Sequence, residues 1–234
     1  MAVTDAHPES AREEIISEIN LGCTRCSTCQ RECAFLRKNG TPGEIAASFA
    51  ATDKASGALA FECSLCRLCA AVCPAKLNPS NMFLEMRREK MRHDPADYPE
   101  HAGFLAYEKR GTSQRFSYYA LPDACDTVFF PGCSLAGTRS DKTLRIYEHI
   151  KEGIPNLGIV LDCCMKVSHD LGREDYFRVM FKEMNDFLIL HGVKKVLVAC
   201  PNCYRIFCAY GEGLAVSTIY EYLDGNAAPL PHTE

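Results

Sequence analysis

Three things are missing from this sequence of 234 residues. No apolar run approaches the roughly 18 residues that a membrane-spanning helix needs. There is no surplus of basic charge: 26 Lys and Arg stand against 30 Asp and Glu, for a net charge of −4. Such a chain has no electrostatic drive toward nucleic-acid phosphates, so no nucleic-acid partner is expected. Third, the opening "MAVTDAHPESAREEIISEIN" lacks the basic and apolar regions of a signal peptide. The expectation is a cytoplasmic protein, peripheral to a membrane only if a partner carries it there.

What the sequence has in excess is cysteine. There are fifteen, an odd number, and many fall in C-x-x-C repeats. A disulfide across two intervening residues closes a small, strained ring. Without an export signal, this usage points to metal or redox chemistry rather than disulfide bonding. The chain is long enough to bury a core without covalent staples.

Residues 9–21, "ESAREEIISEINL", place Ile15, Ile16 and Ile19 on one face, which predicts an amphipathic helix. A second helix is predicted from near Pro79 to just before Pro95. Residues 1–95 thus read as a mainly helical domain, which the cysteine spacing given below makes ferredoxin-like. Residues 96–124 hold Pro99, Gly103, Gly111 and Pro122 around one helix and read as a connector.

Residues 125–234 change character. "DTVFFPGC", "LGIVLDCC" and "KKVLVACPNC" are apolar β-branched runs, each ending in cysteine. Helical patterns, "TRSDKTLRIYEHIKE" and "REDYFRVMFKEMNDFLILHG", separate them. Strand–helix–strand–helix–strand predicts a small α/β domain with a three- to four-stranded parallel sheet. Ligands of such sheets gather at the carboxyl ends of the strands, where all three cysteine groups lie. The fold class is therefore α+β followed by α/β.

Two runs in the first half share the spacing C-x2-C-x2-C-x3-C: Cys23, Cys26, Cys29 and Cys33, then Cys63, Cys66, Cys69 and Cys73. Three thiolates at three-residue intervals can wrap one corner of an iron–sulfur cube, and the fourth can turn away to another. Two-cluster ferredoxins use this arrangement. One [4Fe–4S] cubane would take Cys23, Cys26, Cys29 and Cys73; the other would take Cys63, Cys66, Cys69 and Cys33. Pro74 suits a tight turn after the last ligand, whereas Ala34 follows Cys33. The alternative for C-x2-C pairs is zinc.

The second half carries "PGC" at 131–133, "DCC" at 162–164 and "CPNC" at 200–203. Five thiols exceed what one tetrahedral ion requires. With both halves together, the chain resembles heterodisulfide reductase. The membrane-linked form of that family fuses a cubane-cluster half to a cysteine-rich half in one polypeptide, and other members carry the same two halves on separate chains. It is similar also to the iron–sulfur components of glycolate oxidase and anaerobic glycerol-3-phosphate dehydrogenase. The resemblance implies a third, non-cubane [4Fe–4S] cluster on Cys133, Cys163, Cys164, Cys200 and Cys203. It implies a component of an oxidoreductase complex that passes electrons through two cubanes to this centre and there reduces a disulfide or related substrate. A flavoprotein, a ferredoxin or a membrane cytochrome would be the donor.

The sequence departs from the family in two places. Met165 stands where the family has glycine after the cysteine pair, which predicts crowding of the centre. One cysteine-rich unit is present where catalytic members carry two, so a partner or twin chain would supply the second. The competing reading is a non-catalytic electron relay and docking protein whose cysteine-rich domain holds zinc or no metal. Cys125 and Cys208 lie outside the motifs and are expected to be buried free thiols. Lys166 and His169 follow the pair, and His169 could supply a proton. Phe129, Phe130 and Tyr204 are expected to pack in the core, and Arg25, Arg31 and Arg67 to be solvated.

Overall fold

In a computed structural model, residues 9–51, 54–93 and 99–226 are described. The chain divides into two compact units, Met1–Asp97 with Asp170–Glu174, and Tyr98–His169 with Asp175–Glu234.

The first unit is helical: α1 (Glu9–Gly22), α2 (Thr28–Glu32), α3 (Ala34–Asn39), α4 (Pro42–Ala51), a 3₁₀ segment (Lys54–Glu62), α5 (Leu68–Ala71) and α6 (Pro79–His93). The apolar stripe expected on α1 is buried through Ile16 and Ile19, which meet Met82, Phe83 and Met86 of α6 in one core. Beside this core the two helices are clamped by charge. Arg12 of α1 pairs with Glu89 of α6, both buried, and Glu89 also bonds Arg92 and His93, each at 2.9 Å. Burial alone would raise the Glu89 carboxyl, but its bond to Arg12 and their charge attraction outweigh this and hold it low. A reciprocal cap starts α4: the Glu44 carboxylate accepts from the Thr41 backbone N–H at 2.8 Å, and Thr41 Oγ1 accepts from the Glu44 N–H at 3.4 Å.

The second unit is built on a five-stranded sheet. Its elements are α7 (Ala102–Gly111), β1 (Tyr118–Ala120), β2 (Thr127–Phe130), α8 (Cys133–Thr138), α9 (Ser140–Gly153), β3 (Gly158–Leu161), α10 (Lys166–Asp170), α11 (Glu174–Leu190), β4 (Lys195–Val198), α12 (Pro201–Tyr210), β5 (Ala215–Thr218) and α13 (Ile219–Asn226). The strand order is β1-β3-β2-β4-β5. The three expected strands form its parallel centre, with Phe129 opposite Ile159 on one side and Leu197 on the other. Two edges are additional. β5 continues the parallel set, whereas β1 runs antiparallel to β3 from within the stretch read as a connector.

Alternation along the central strands explains how both faces are covered. Val128, Phe130, Val160, Val196 and Val198 face a core shared with Phe177, Phe181 and Leu188 of α11 and Ile206 and Phe207 of α12. Phe129, Leu197 and Ala199 face the other way, against Ile150 of α9 and Ile219 of α13. Phe129 and Phe130 are both fully buried, as expected.

Candidate functional site

The two cysteine runs of the first unit fold as a repeat. Two residues past Cys23 and Cys63, Arg25 (φ 54°) and Leu65 (φ 52°) occupy the left-handed region. One residue past Cys26 and Cys66, Ser27 (φ 60°) and Arg67 (φ 66°) do so again. Helices α2 and α5 follow at once. None of these four is glycine, and each such residue costs on the order of 1 kcal/mol. Backbone that turns through left-handed positions makes concavities where N–H groups meet anionic sulfur. The Leu65 N–H already points at Cys63 Sγ, 3.4 Å away.

One cavity of this unit is lined by Cys23, Cys26, Cys29 and Cys73, together with Cys69, Thr24, Ser27 and Pro74. The thiol of Cys29 is raised chiefly by burial and then by the nearby Cys23, with Cys26 and Cys73 adding to it. On the other side, burial raises Cys63, and both Cys33 and Cys66 act on it in the same sense. Burial and Cys63 push Cys69 up to about 12. Each run thus brings its first three cysteines beside the fourth of the other run. Buried thiols that resist ionisation are stabilised as thiolates by a cationic centre, so binding of metal and loss of protons are coupled here.

In the second unit the cysteines follow the ends of β2, β3 and β4. Cys133 begins α8, Cys163 and Cys164 come just after β3, and Cys200 is the N-cap of α12. Their side chains are neighbours around a ring. Cys163 bonds Cys133, Cys164 adjoins Cys163, Cys203 bonds both Cys164 and Cys200, and the charge of Cys200 is felt at Cys133. Cys200 is pulled down to about 5, first by the Cys203 thiol that donates to it, then by backbone N–H groups at the start of α12 and the charge of Lys166. Cys133 is lowered by the thiol of Cys163. Cys163 and Cys203, the donors, are raised. Cys163, Cys164 and Cys203 are buried, whereas Cys133 and Cys200 are partly open. Gly132 admits this packing: at φ +80° it leaves Cys203 Sγ only 3.0 Å from where a Cβ would stand.

Side chains that the sequence did not single out brace the ring. Asp162 accepts from the Cys163 N–H at 2.7 Å and from the Tyr119 hydroxyl of β1, and burial raises its carboxyl. Glu108 of α7, itself buried, accepts from the Ser168 N–H at 3.0 Å and from the Ser168 hydroxyl, anchoring α10 behind the cysteine pair. A cavity beside the ring is lined by Tyr107, Arg110, Phe116, Cys133, Leu161 and Asp162. Of the five thiols, only Cys133 opens onto it. No pattern in the sequence marks Glu108 or Tyr119, which lie 60 and 43 residues from their partners.

Met165 takes the left-handed conformation (φ 57°) that suits glycine, and its side chain is buried in the core of the α11 face. It lines a different cavity, with Tyr119, Met184 and Phe187, so it does not crowd the one at Cys133. Cys125 is buried as expected and donates to the Thr127 carbonyl at 3.3 Å, but Cys208 is exposed on α12. His169 sits 3.0 Å from the Tyr210 hydroxyl, edge-on to Phe177. Among the described residues, no three His, Cys, Asp or Glu side chains close around one point as a single ion requires. Also among the described residues, no helix is long and apolar enough to cross a membrane.

Comparison with curated proteins and with solved structures finds no match for the chain. Residues 20–77 match the family of 4Fe-4S dicluster domains. That span holds both cysteine runs, both left-handed loops and all the thiols that line the cavity, and these thiols fit such clusters. Residues 20–77 are accordingly an iron–sulfur electron-transfer domain that holds two [4Fe–4S] clusters.

Proposed function

We propose that the chain is the iron–sulfur component of a heterodisulfide-reductase-like oxidoreductase. Its dicluster domain receives electrons from a flavoprotein, a ferredoxin or a membrane cytochrome and feeds a third centre, which reduces a disulfide or related substrate. The clusters of the dicluster domain are held by Cys23, Cys26, Cys29 and Cys73, and by Cys63, Cys66, Cys69 and Cys33. The third centre is held by Cys133, Cys163, Cys164, Cys200 and Cys203. The observation that carries this reading is the gathering of five neighbouring thiols at the ends of three adjacent strands.

A [4Fe–4S] cluster on those thiols would supply one-electron reduction at iron able to bind a substrate sulfur. The chain's own groups prepare the place. The Cys203 thiol, the start of α12 and, least, Lys166 favour the thiolate of Cys200, and Asp162 and Glu108 fix the turn that carries Cys163 and Cys164. Cys133 gives access from the neighbouring cavity. A second cysteine-rich unit, from a partner or a twin chain, would close the substrate site from the other side. The protein is cytoplasmic in this reading, meeting a membrane only through such a partner.

Metal analysis of anaerobically purified protein tests the assignment. About twelve irons per chain are expected, against about eight for the dicluster domain alone. Oxidised, thiol-treated protein should give rhombic EPR signals distinct from those of the cubanes. Eight irons with no such signal, or zinc in the second unit, would leave a relay and docking protein instead.

A further inference from the structure

Arg87 lies inside the dicluster unit, on α6, and is 5 % exposed. Its guanidinium is held by carbonyls from three places. Nε donates to Ala60 O at 3.0 Å, Nη1 to Asp170 O at 2.5 Å, and Nη2 to Cys63 O. The ring of Phe61 lies against it, with the guanidinium carbon 5.2 Å from its centroid. The charges that face it are those of Cys63 and the Asp170 carboxylate. A buried guanidinium is expensive unless its donors are satisfied and its charge is used. Here three donors go to backbone carbonyls, and the charge faces Cys63 as well as the Asp170 carboxylate.

That cysteine belongs to the set Cys63, Cys66, Cys69 and Cys33. The cavity of the other set is lined by Arg25, an exposed residue whose charge acts on Glu44. Reduction adds one negative charge to a [4Fe–4S] cluster. A fixed cation at a ligand in a poorly solvated place stabilises that form, and cluster potentials respond to such charges and hydrogen bonds. We propose that Arg87 sets the order of potentials in the dicluster domain, making the cluster at Cys63 the more easily reduced of the two. One electron then leaves the reduced cluster at Cys23, oxidising it, and reduces the one at Cys63, with no proton moved. The proposal rests on the ligand sets given above. Arg87 acts through Cys63 and is a positioning and tuning residue.

The test is an EPR-monitored redox titration of the full, iron-loaded chain. The Cys66→Ser variant identifies which signal belongs to the Cys63 set. In Arg87→Gln that signal should move to lower potential by at least the equivalent of a tenfold change in electron partition, about 59 mV. The other signal should stay in place, and Arg87→Lys should recover most of the shift. Asp170→Asn removes the facing negative charge and should move the same signal upward. This second variant also covers a failure of Arg87→Gln to fold. Equal movement of both signals, a lysine variant that behaves like glutamine, or no upward shift in Asp170→Asn would overturn the proposal. So would a Cys66→Ser variant that disturbs a signal other than the one Arg87→Gln moves.

Discussion

Replacing Gly132 with alanine tests the packing of the five-thiol ring more sharply than deleting any one thiol. Gly132 lies between β2 and Cys133 with φ +80° and ψ 157°, a region open in practice only to glycine. A residue forced there costs about 1–3 kcal/mol from backbone alone. The added methyl would also stand 3.0 Å from Cys203 Sγ and 3.1 Å from Cys200 Cβ. Neither neighbour is the free end of a flexible chain: Cys203 is buried in the first turn of α12, and Cys200 caps that helix. Overpacking of this kind adds about 1–3 kcal/mol, so the total loss should be about 2–6 kcal/mol.

The comparison variant is Gly111→Ala, at the end of α7 on another side of the same thiols. Its added methyl would lie 3.6 Å from Cys163 Cβ and 4.0 Å from Cys133 Cβ, in ordinary contact, and its φ is not left-handed. Alanine there should stabilise by about 0.4–1 kcal/mol through the unfolded chain. The two glycines touch one thiol ring, yet their substitutions should have opposite signs. Urea denaturation under anaerobic, reducing conditions, followed by circular dichroism, reads both. Gly132→Ala should also lose iron at the second unit while the dicluster domain keeps its own. If the two variants unfold within about 0.5 kcal/mol of each other, the packing argument is wrong, since that is the size of an ordinary surface substitution.

Three further outcomes follow from other parts of the molecule. Glu89→Gln leaves the buried Arg12 with only the exposed Glu13, 3.7 Å away, as a counter-charge and should destabilise the first unit by about 3–5 kcal/mol, measured by denaturant unfolding. Because the folded state holds the Glu89 carboxyl low, its stabilisation is present above the ordinary carboxylate value, about 4.3, and is lost as pH falls below it. The wild type should therefore lose more stability than Glu89→Gln between neutral pH and about pH 3. Thr41→Ala removes one half of the cap on α4 and should cost about 0.5–2 kcal/mol, readable as a lowered melting temperature. Cys125→Ser should destabilise by about 1 kcal/mol because the site is buried, whereas Cys208→Ser should be neutral. Neither should change the iron content.

The parts of the fold that could be read from sequence are those whose burial leaves a periodic trace. Ile16 and Ile19 of α1 and Phe177, Phe181, Met184 and Leu188 of α11 repeat at helical spacing because one face of each helix is buried. The central strands read as continuous apolar runs because both faces of the sheet are covered. The edge strands escape the same reading. β1 is three residues long with Tyr118 exposed, and β5, "AVST", is only partly buried, so neither has a pattern to detect. At the sites, the spacing of the thiols is a local signal. The groups that brace them are not, because Glu108, Tyr119 and Arg87 reach their partners across 60, 43 and up to 83 residues.

Backbone strain supplies an indicator of the sites that composition hides. Outside glycine, the described residues at positive φ are Arg25, Ser27, Leu65, Arg67, Lys76, Ala124 and Met165. Five of these seven adjoin a cysteine proposed as a ligand: Arg25, Ser27, Leu65, Arg67 and Met165. Each is costly in isolation and persists only where surrounding structure over-determines it. A stretch selected for stability alone would relax such positions to glycine, or to residues that avoid the left-handed region. Their presence in both loops of the dicluster domain and again after Cys163 and Cys164 puts the same kind of left-handed bend beside cysteines of both units. Replacing Met165 with glycine should therefore relieve strain of about 1 kcal/mol and leave a cavity that costs about 2–5 kcal/mol, a net loss visible on thermal unfolding. A net gain would mean that the buried methionine contributes no packing and that the strain at this turn has another origin.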